Sequence, residues 1–192
     1  MSSAIETIKA EHRNYISVLH CIDGVIGDVE RNVIEPDFVL FRTVLDYIEE
    51  FLDRYHHPKE DEHLFRTLRL RDRDCATLLD ELEAQHQHGY RMLKDLRASL
   101  DAYEKDTASG SIFFEALRAY HRMEWDHMRS EEMEVIPRAR AALTDDDWVN
   151  IDKVFSDHSD PVFGDAPKKK FEDLLHRIAS MAPAPHGYRQ PK

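Results

Sequence analysis

His56-His57-Pro58-Lys59-Glu60, followed after three residues by Leu64-Phe65, sets an imidazole and a carboxylate four positions apart, ahead of an apolar pair. The same arrangement returns at His127-Met128-Arg129-Ser130-Glu131, followed after three residues by Val135-Ile136. Upstream of each pair a single histidine ends a similar tripeptide, Ala10-Glu11-His12 in one case and Ala84-Gln85-His86 in the other. The single histidines are 74 residues apart and the pairs 71 apart, so the chain reads as a duplicated helical hairpin. Residues four apart on a helix stack one turn above the other, so His56 and Glu60 address one volume. His127 and Glu131 address the same volume from another helix.

The flanking sequence supplies those helices. Ile5, Ile8, His12, Tyr15, Leu19, Ile22, Ile26 and Val29 alternate at three- and four-residue spacing, the seam of a helix packed in a bundle. Glu35-Pro36-Asp37 interrupts the pattern, with Asp37 placed to cap the next helix. That helix runs through Phe38, Phe41, Leu45, Ile48 and Leu52 and continues by fours through His56, Glu60 and Leu64. Pro58 inside it must kink the helix or start a new turn. Asp72-Arg73-Asp74 forms the next junction. The third helix reads Leu79, Leu82, His86, Gly89, Leu93, Leu96, Leu100 and Tyr103, and Thr107 to Ser111 links it to a fourth. There the row Met123, His127, Glu131, Val135 repeats Leu52, His56, Glu60, Leu64 type for type. Four helices of about 25 to 30 residues joined by short loops imply an all-α fold, an antiparallel up-down-up-down four-helix bundle over residues 1–142. Residues 143–192 form a short C-terminal helical extension packed on it. Thr144-Asp145-Asp146-Asp147 caps a helix with Trp148, Ile151, Val154 and Phe155. Asp160-Pro161-Val162-Phe163-Gly164-Asp165 makes a turn, and a last helix spans about Lys168 to Met181. The tail Ala182 to Lys192 is expected to be flexible or draped over the bundle.

Composition agrees with a helical domain. The 192 residues are 33 % charged and 42 % apolar, with six glycines and eight prolines, which disfavours a turn-rich sheet protein. A net charge of -12 argues against nucleic acid and against an anionic membrane as partners. No apolar run approaches the roughly 18 residues of a membrane span and no basic–apolar leader opens the chain, so a cytoplasmic location is expected. Cys21 and Cys75, far apart and outside any C-x-x-C spacing, read as reduced thiols, with a disulfide as the alternative. Nucleophilic catalysis and phosphate binding find no support, because neither a Ser-His-Asp arrangement nor a glycine-rich loop is legible.

Four imidazoles and two carboxylates left unpaired in a bundle core would be costly, since each buried charge costs several kcal/mol. Two metal ions convert that cost into stabilisation, with Glu60 and Glu131 bridging and two histidines capping each ion. Mixed imidazole and carboxylate donors suit iron best, with zinc or manganese as substitutes. The competing reading is a structural bundle whose polar seam sets register. Twelve histidines give chance H-x-x-x-E pairs, but not two pairs, two seam histidines and a matching repeat. His57, His63, His88 and His121 lie beside the stripe and are expected to face solvent or the outer partners of the ligands. His20, His158, His176 and His186 carry no motif.

These residues resemble a bacterial hemerythrin-like protein of the HHE cation-binding domain family. The resemblance rests on Glu11-His12, on His56-His57-Pro58-Lys59-Glu60-Asp61 with Leu64-Phe65, on the His86 helix, and on His127-x-x-x-Glu131-Glu132 leading to Ile136-Pro137. It covers about residues 1–142, and Asp160 to Gly164 with the helix that follows is similar to the C-terminal extension of some bacterial members. The family implies an antiparallel four-helix bundle around two iron ions with an oxo or hydroxo bridge. His12 and His56 would serve one iron, His86 and His127 the other, and Glu60 and Glu131 would bridge. Oxygen carriers of the family place a further histidine one turn after the third-helix ligand, where this chain has Tyr90. They also place an aspartate five residues after the fourth-helix histidine, where Glu132 follows Glu131. Tyr90, Glu132, Glu124 and Tyr15 are the candidates for outer partners or an additional ligand. The departure at Tyr90 implies a more symmetric, more open centre that reacts with oxygen, peroxide or nitric oxide rather than carrying oxygen reversibly.

The functional expectation is a metal-binding protein whose di-iron centre binds or senses oxygen, nitric oxide or peroxide, or holds iron. The alternative is a peroxide-consuming or oxidase-type di-iron enzyme acting in oxidative or nitrosative stress. Glu83-x-x-His86 and Glu124-x-x-His127 match the E-x-x-H spacing of carboxylate-rich di-iron bundles, but helices one and two lack it, so both glutamates read better as outer partners or solvent-side charges. The expected partner is a small diatomic molecule or peroxide, with a homodimer or a protein partner left open.

Overall fold

The computed structural model describes residues 2–156 and 167–188, and every regular element in them is helical. Six helices follow one another. They are α1 (Ser3–Glu30), α2 (38–71), α3 (Ala76–Lys105), α4 (110–142), α5 (Asp145–Ser156) and α6 (Pro167–Met181). The expected turn at Asp160 to Asp165 and the end of the tail, residues 189–192, lie outside the described residues, as does His158.

Local chemistry sets the boundaries. α1 stops where Asn32 adopts a left-handed backbone (φ 56°), a conformation asparagine tolerates better than most residues, and its neighbours close the last carbonyls. Asp37 caps α2 by accepting a hydrogen bond from the Leu40 amide at 3.0 Å. Thr144 and Asp147 cap α5 reciprocally. The hydroxyl of Thr144 accepts from the Asp147 amide, and the Asp147 carboxylate accepts from the Thr144 amide at 2.9 Å.

Pro58 neither breaks nor sharply divides α2. Wide π-helical turns at Glu49–His56 and Glu60–Phe65 flank the short α-helical stretch His57–Lys59. Proline has no amide to donate and its ring collides with the carbonyl four residues back, and widening the turn relieves both. α4 does the same before Pro137, with π-helical Glu131–Val135 between Gly110–Ser130 and Ile136–Ala142. His56, Glu60 and Glu131 therefore all stand on wide turns.

The core has two apolar layers with a polar band between them. One layer gathers Ile5 and Ile8 of α1, Leu64, Phe65 and Leu68 of α2, Leu79 and Leu82 of α3, and Val135 and Ile136 of α4, closed by Ile151 and Phe155 of α5. The other gathers Leu19 and Ile22, Phe41 and Leu45, Leu96 and Leu100, and Phe113 and Leu117, covered by Phe171 and Ile178 of α6. Along each of α1 to α4 the chain passes from one layer to the other through a buried histidine.

The extension is part of this packing. α5 is tied to the start of α1 through Asp152, which accepts from the Ala4 amide at 2.8 Å. Beyond α6 the described part of the tail runs back across α1. His186 Nε2 lies 2.9 Å from Asp28 Oδ2, and its ring fills the space that a Cβ on Gly24 would need. Cys21 and Cys75 are both free. No helix among the described residues is long and apolar enough to cross a membrane.

Candidate metal centre

The polar band brings His12 from α1, His56 and Glu60 from α2, His86 from α3, and His127 and Glu131 from α4 into one buried cluster, each at most 4 % exposed. The histidines meet in pairs. His12 and His56 approach Nε2 to Nε2 at 3.2 Å, and His86 and His127 at 2.9 Å. Glu60 directs Oε1 to the first pair, 3.4 Å from His56 and 3.9 Å from His12, and Oε2 to the second, 3.9 Å from His86. Glu131 does the reverse. Its Oε2 lies 3.4 Å from His12, and its Oε1 3.3 Å from His127 and 3.9 Å from His86. Each carboxylate thus offers one oxygen to each pair of rings. Glu60 Oε2 and both oxygens of Glu131 have no hydrogen-bond partner, although buried polar atoms are normally paired. His12, His56 and Glu60 form one group able to coordinate a metal, and Glu60, His86, His127 and Glu131 form a second.

The opposite edge of every ring is anchored. Nδ1 of His12 meets Glu132 at 3.1 Å, that of His56 meets Glu11 at 2.8 Å, that of His86 meets Asp61 at 2.9 Å, and that of His127 meets Gln85 at 2.9 Å. An oxygen at Nδ1 holds the proton there and leaves the Nε2 lone pair facing the cluster, the tautomer a metal ligand requires. These anchors follow the repeat. Glu11 and Gln85 precede the single histidines, and Asp61 and Glu132 follow the paired glutamates. Of the four only Glu132 belongs to the sequence-derived site. Glu11, Gln85 and Asp61 were visible as repeat positions, but the contacts join different helices.

The electrostatics suit a positive guest. Burial, reinforced by Glu131, pushes the Glu60 carboxyl well above the usual range. Burial would also raise Glu131, but His127, His12 and His86 override it and hold that carboxyl well below the usual range. Burial lowers His56; at His127 burial also pulls down, but Glu131, with Glu124 and Asp61, outweighs it and raises that ring. The hydrogen bond with His12 holds Glu132 low.

The other candidates sit elsewhere. Tyr90 is 56 % exposed, at the mouth of a cavity of about 230 Å³ that reaches His86. Tyr15 is fully buried, in a polar knot with Tyr120, Glu124 and Asp53, each of which has an oxygen without a partner. Glu124 is buried and raised by that burial, and its Oε1 would lie 3.0 Å from a Cβ on Gly89, which explains a glycine inside α3. Glu83 instead pairs with Arg69 at 2.8 Å on the surface. His57 is not at the surface. It is 5 % exposed and lies against His86. His121 pairs with Asp23 and packs edge-on against His20.

Burial, then Glu124, raises Asp53 to about 7. A carboxyl raised on folding contributes stability that is complete below its unfolded value near 4 and is lost as pH climbs through its folded value near 7. In metal-free protein, Asp53→Asn is expected to gain about 3 kcal/mol on the wild type between those pH values. Urea unfolding at pH 4.5 and pH 8 checks this, and a difference independent of pH would refute it.

The family model described as hemerythrin HHE cation binding domain matches residues 3–139. No curated protein and no solved structure matched the chain.

Proposed function

The chain belongs to the hemerythrin HHE cation-binding domain family, and from that premise we propose that its polar band holds two iron ions joined by an oxo or hydroxo bridge and serves to bind or sense oxygen, nitric oxide or peroxide. The observation that carries this reading is the division of Glu60 and Glu131, each with one oxygen toward His12 and His56 and the other toward His86 and His127. One ion would need neither the second pair of rings nor carboxylates shared in this way. A donor set of imidazole and carboxylate favours iron over the softer-ligand metals. Bound there, iron supplies reversible one-electron chemistry and coordination positions for a small ligand. The protein's part is to keep the four rings oriented through Glu132, Glu11, Asp61 and Gln85, and to exclude bulk water with an apolar layer on either side.

A second reading, a di-iron enzyme that consumes peroxide or acts as an oxidase, draws on Asp53 and Glu124. These are buried carboxyls with raised pKa values close to His57 and His127, suited to taking up and returning protons. Iron-reconstituted protein is expected to hold about two irons per chain and to absorb in the near ultraviolet. Stopped-flow mixing of the reduced protein with oxygen, nitric oxide and peroxide separates stoichiometric binding from turnover. Reconstituted protein without bound iron would defeat both readings.

A further inference from the structure

Five imidazoles, not four, are buried at the level of the centre. His12, His56, His86 and His127 each have Nδ1 on an oxygen. For His57 the carboxylate within reach, Asp53 Oδ1, stands 4.0 Å from Nδ1, beyond hydrogen-bonding distance. Its ring lies on His86, with centroids 3.9 Å apart and planes inclined by 14°, and edge-on to His127 at 5.6 Å and 76°. One nitrogen of His57 comes within 4.8 Å of a nitrogen on each of these two rings.

Proximity alone would make His57 a third ring on the second ion, but the stacking argues otherwise. An imidazole lone pair lies in the plane of its ring. Two rings stacked in nearly parallel planes keep their lone pairs in those separate planes, so the two do not converge on one ion.

The duplication also fails here. The position after the paired histidine is His57 in the first copy and Met128 in the second. Met128 lines a mostly apolar groove of about 470 Å³ that reaches His12 and is edged by Arg13 and Arg129, whereas His57 lines the cavity of about 230 Å³ that reaches His86. The two halves thus match in ligands and anchors and differ in the side chain beside the rings: thioether at one, imidazole at the other.

We infer that His57 is a ligand-positioning residue: from the wall of the cavity bounded by Asp53, Asp61, His86 and Tyr90 it donates an N–H to a small anionic or diatomic guest taken up beside His86 and His127. This inference rests on the di-iron reading above. It makes the second half of the centre the side where a polar guest is held, and assigns the α1–α4 groove no such donor from the position matching His57.

The test is azide titration of the iron-loaded full chain, followed by visible absorption and by the azide infrared stretch, for wild type, His57→Met and His57→Gln. His57→Met makes the two halves alike. It is expected to keep the wild-type iron content and resting near-ultraviolet spectrum while azide affinity falls about tenfold or more, as expected for a lost hydrogen bond to a charged partner. His57→Gln, which retains an N–H donor, is expected to recover part of the affinity and return the azide stretch toward wild type, and it carries the test if the methionine variant does not fold. Wild-type azide affinity in both variants would overturn the inference. Loss of iron or a changed resting spectrum in either folded variant would also overturn it, by making His57 a metal ligand. Wild-type protein that binds iron but not azide would overturn it as well, whereas wild type without iron is the failure of the di-iron reading itself.

Discussion

Stripping the metal with a chelator is expected to lower the thermal midpoint of unfolding by roughly 10–20 °C. Without an ion, the core must accommodate four imidazoles and two carboxylates in a buried band, with Glu60 Oε2 and both oxygens of Glu131 unpartnered. The pair compromises, with Glu60 pushed up to keep a proton and Glu131 held down by His127, His12 and His86. Metal removes the conflict, since cations satisfy both carboxylates and the four Nε2 lone pairs together. A contribution of about 5 kcal/mol, well below what structural metal sites deliver, translates into that shift for a domain of this size. The pH dependence has a definite sign. Glu60 must release its proton to bind metal, so affinity is expected to rise with pH through the raised pKa of that carboxyl. Calorimetry of loaded and chelated protein at several pH values checks both statements. Equal midpoints would show that the band is satisfied without metal.

Glu131→Ala is expected to take the iron-loaded protein from about two metals per chain to nearly none, whereas His56→Ala leaves about one. The difference follows from geometry. His56 faces one pair, with its Nε2 3.2 Å from that of His12. Glu131 faces both, through Oε2 to His12 and Oε1 to His127 and His86. Removing it also frees His127 from the carboxylate that raises its pKa. Metal analysis of the two purified variants decides. A Glu131→Ala protein that keeps one full equivalent would mean that the carboxylate serves a single ion, and the shared-bridge arrangement would have to be abandoned.

The helices were legible because apolar residues at three- and four-residue spacing have one low-cost solution, a stripe turned inward, and α1 buries the seam read from its sequence. The six clustered groups were legible because duplication states them twice. The wide turns were not. Pro58 signals that the backbone must adjust, but a kink, a new turn and an i+5 turn all answer that demand, and packing selects among them. The choice left open for His57, solvent or the surroundings of the ligands, was undecided for a related reason, and the ring lies against His86. About 100° of rotation takes it off the His56 stripe, and whether that flank meets water or a neighbour depends on where α3 lies, which no local pattern records. His186 carried no motif, and only the path of the tail back across α1 gives it Asp28 and the space at Gly24.

By itself the sequence determined an all-helical chain in two related halves, each with two imidazoles and a carboxylate on inward faces, because periodicity and spacing are local properties of a helix. The tertiary structure decided which nitrogen of each ring faces the cluster, how each carboxylate divides its oxygens between the pairs, and that a fifth imidazole lies on His86. Those outcomes depend on side chains of different helices meeting at hydrogen-bonding or stacking distance, and only the packed bundle sets such distances.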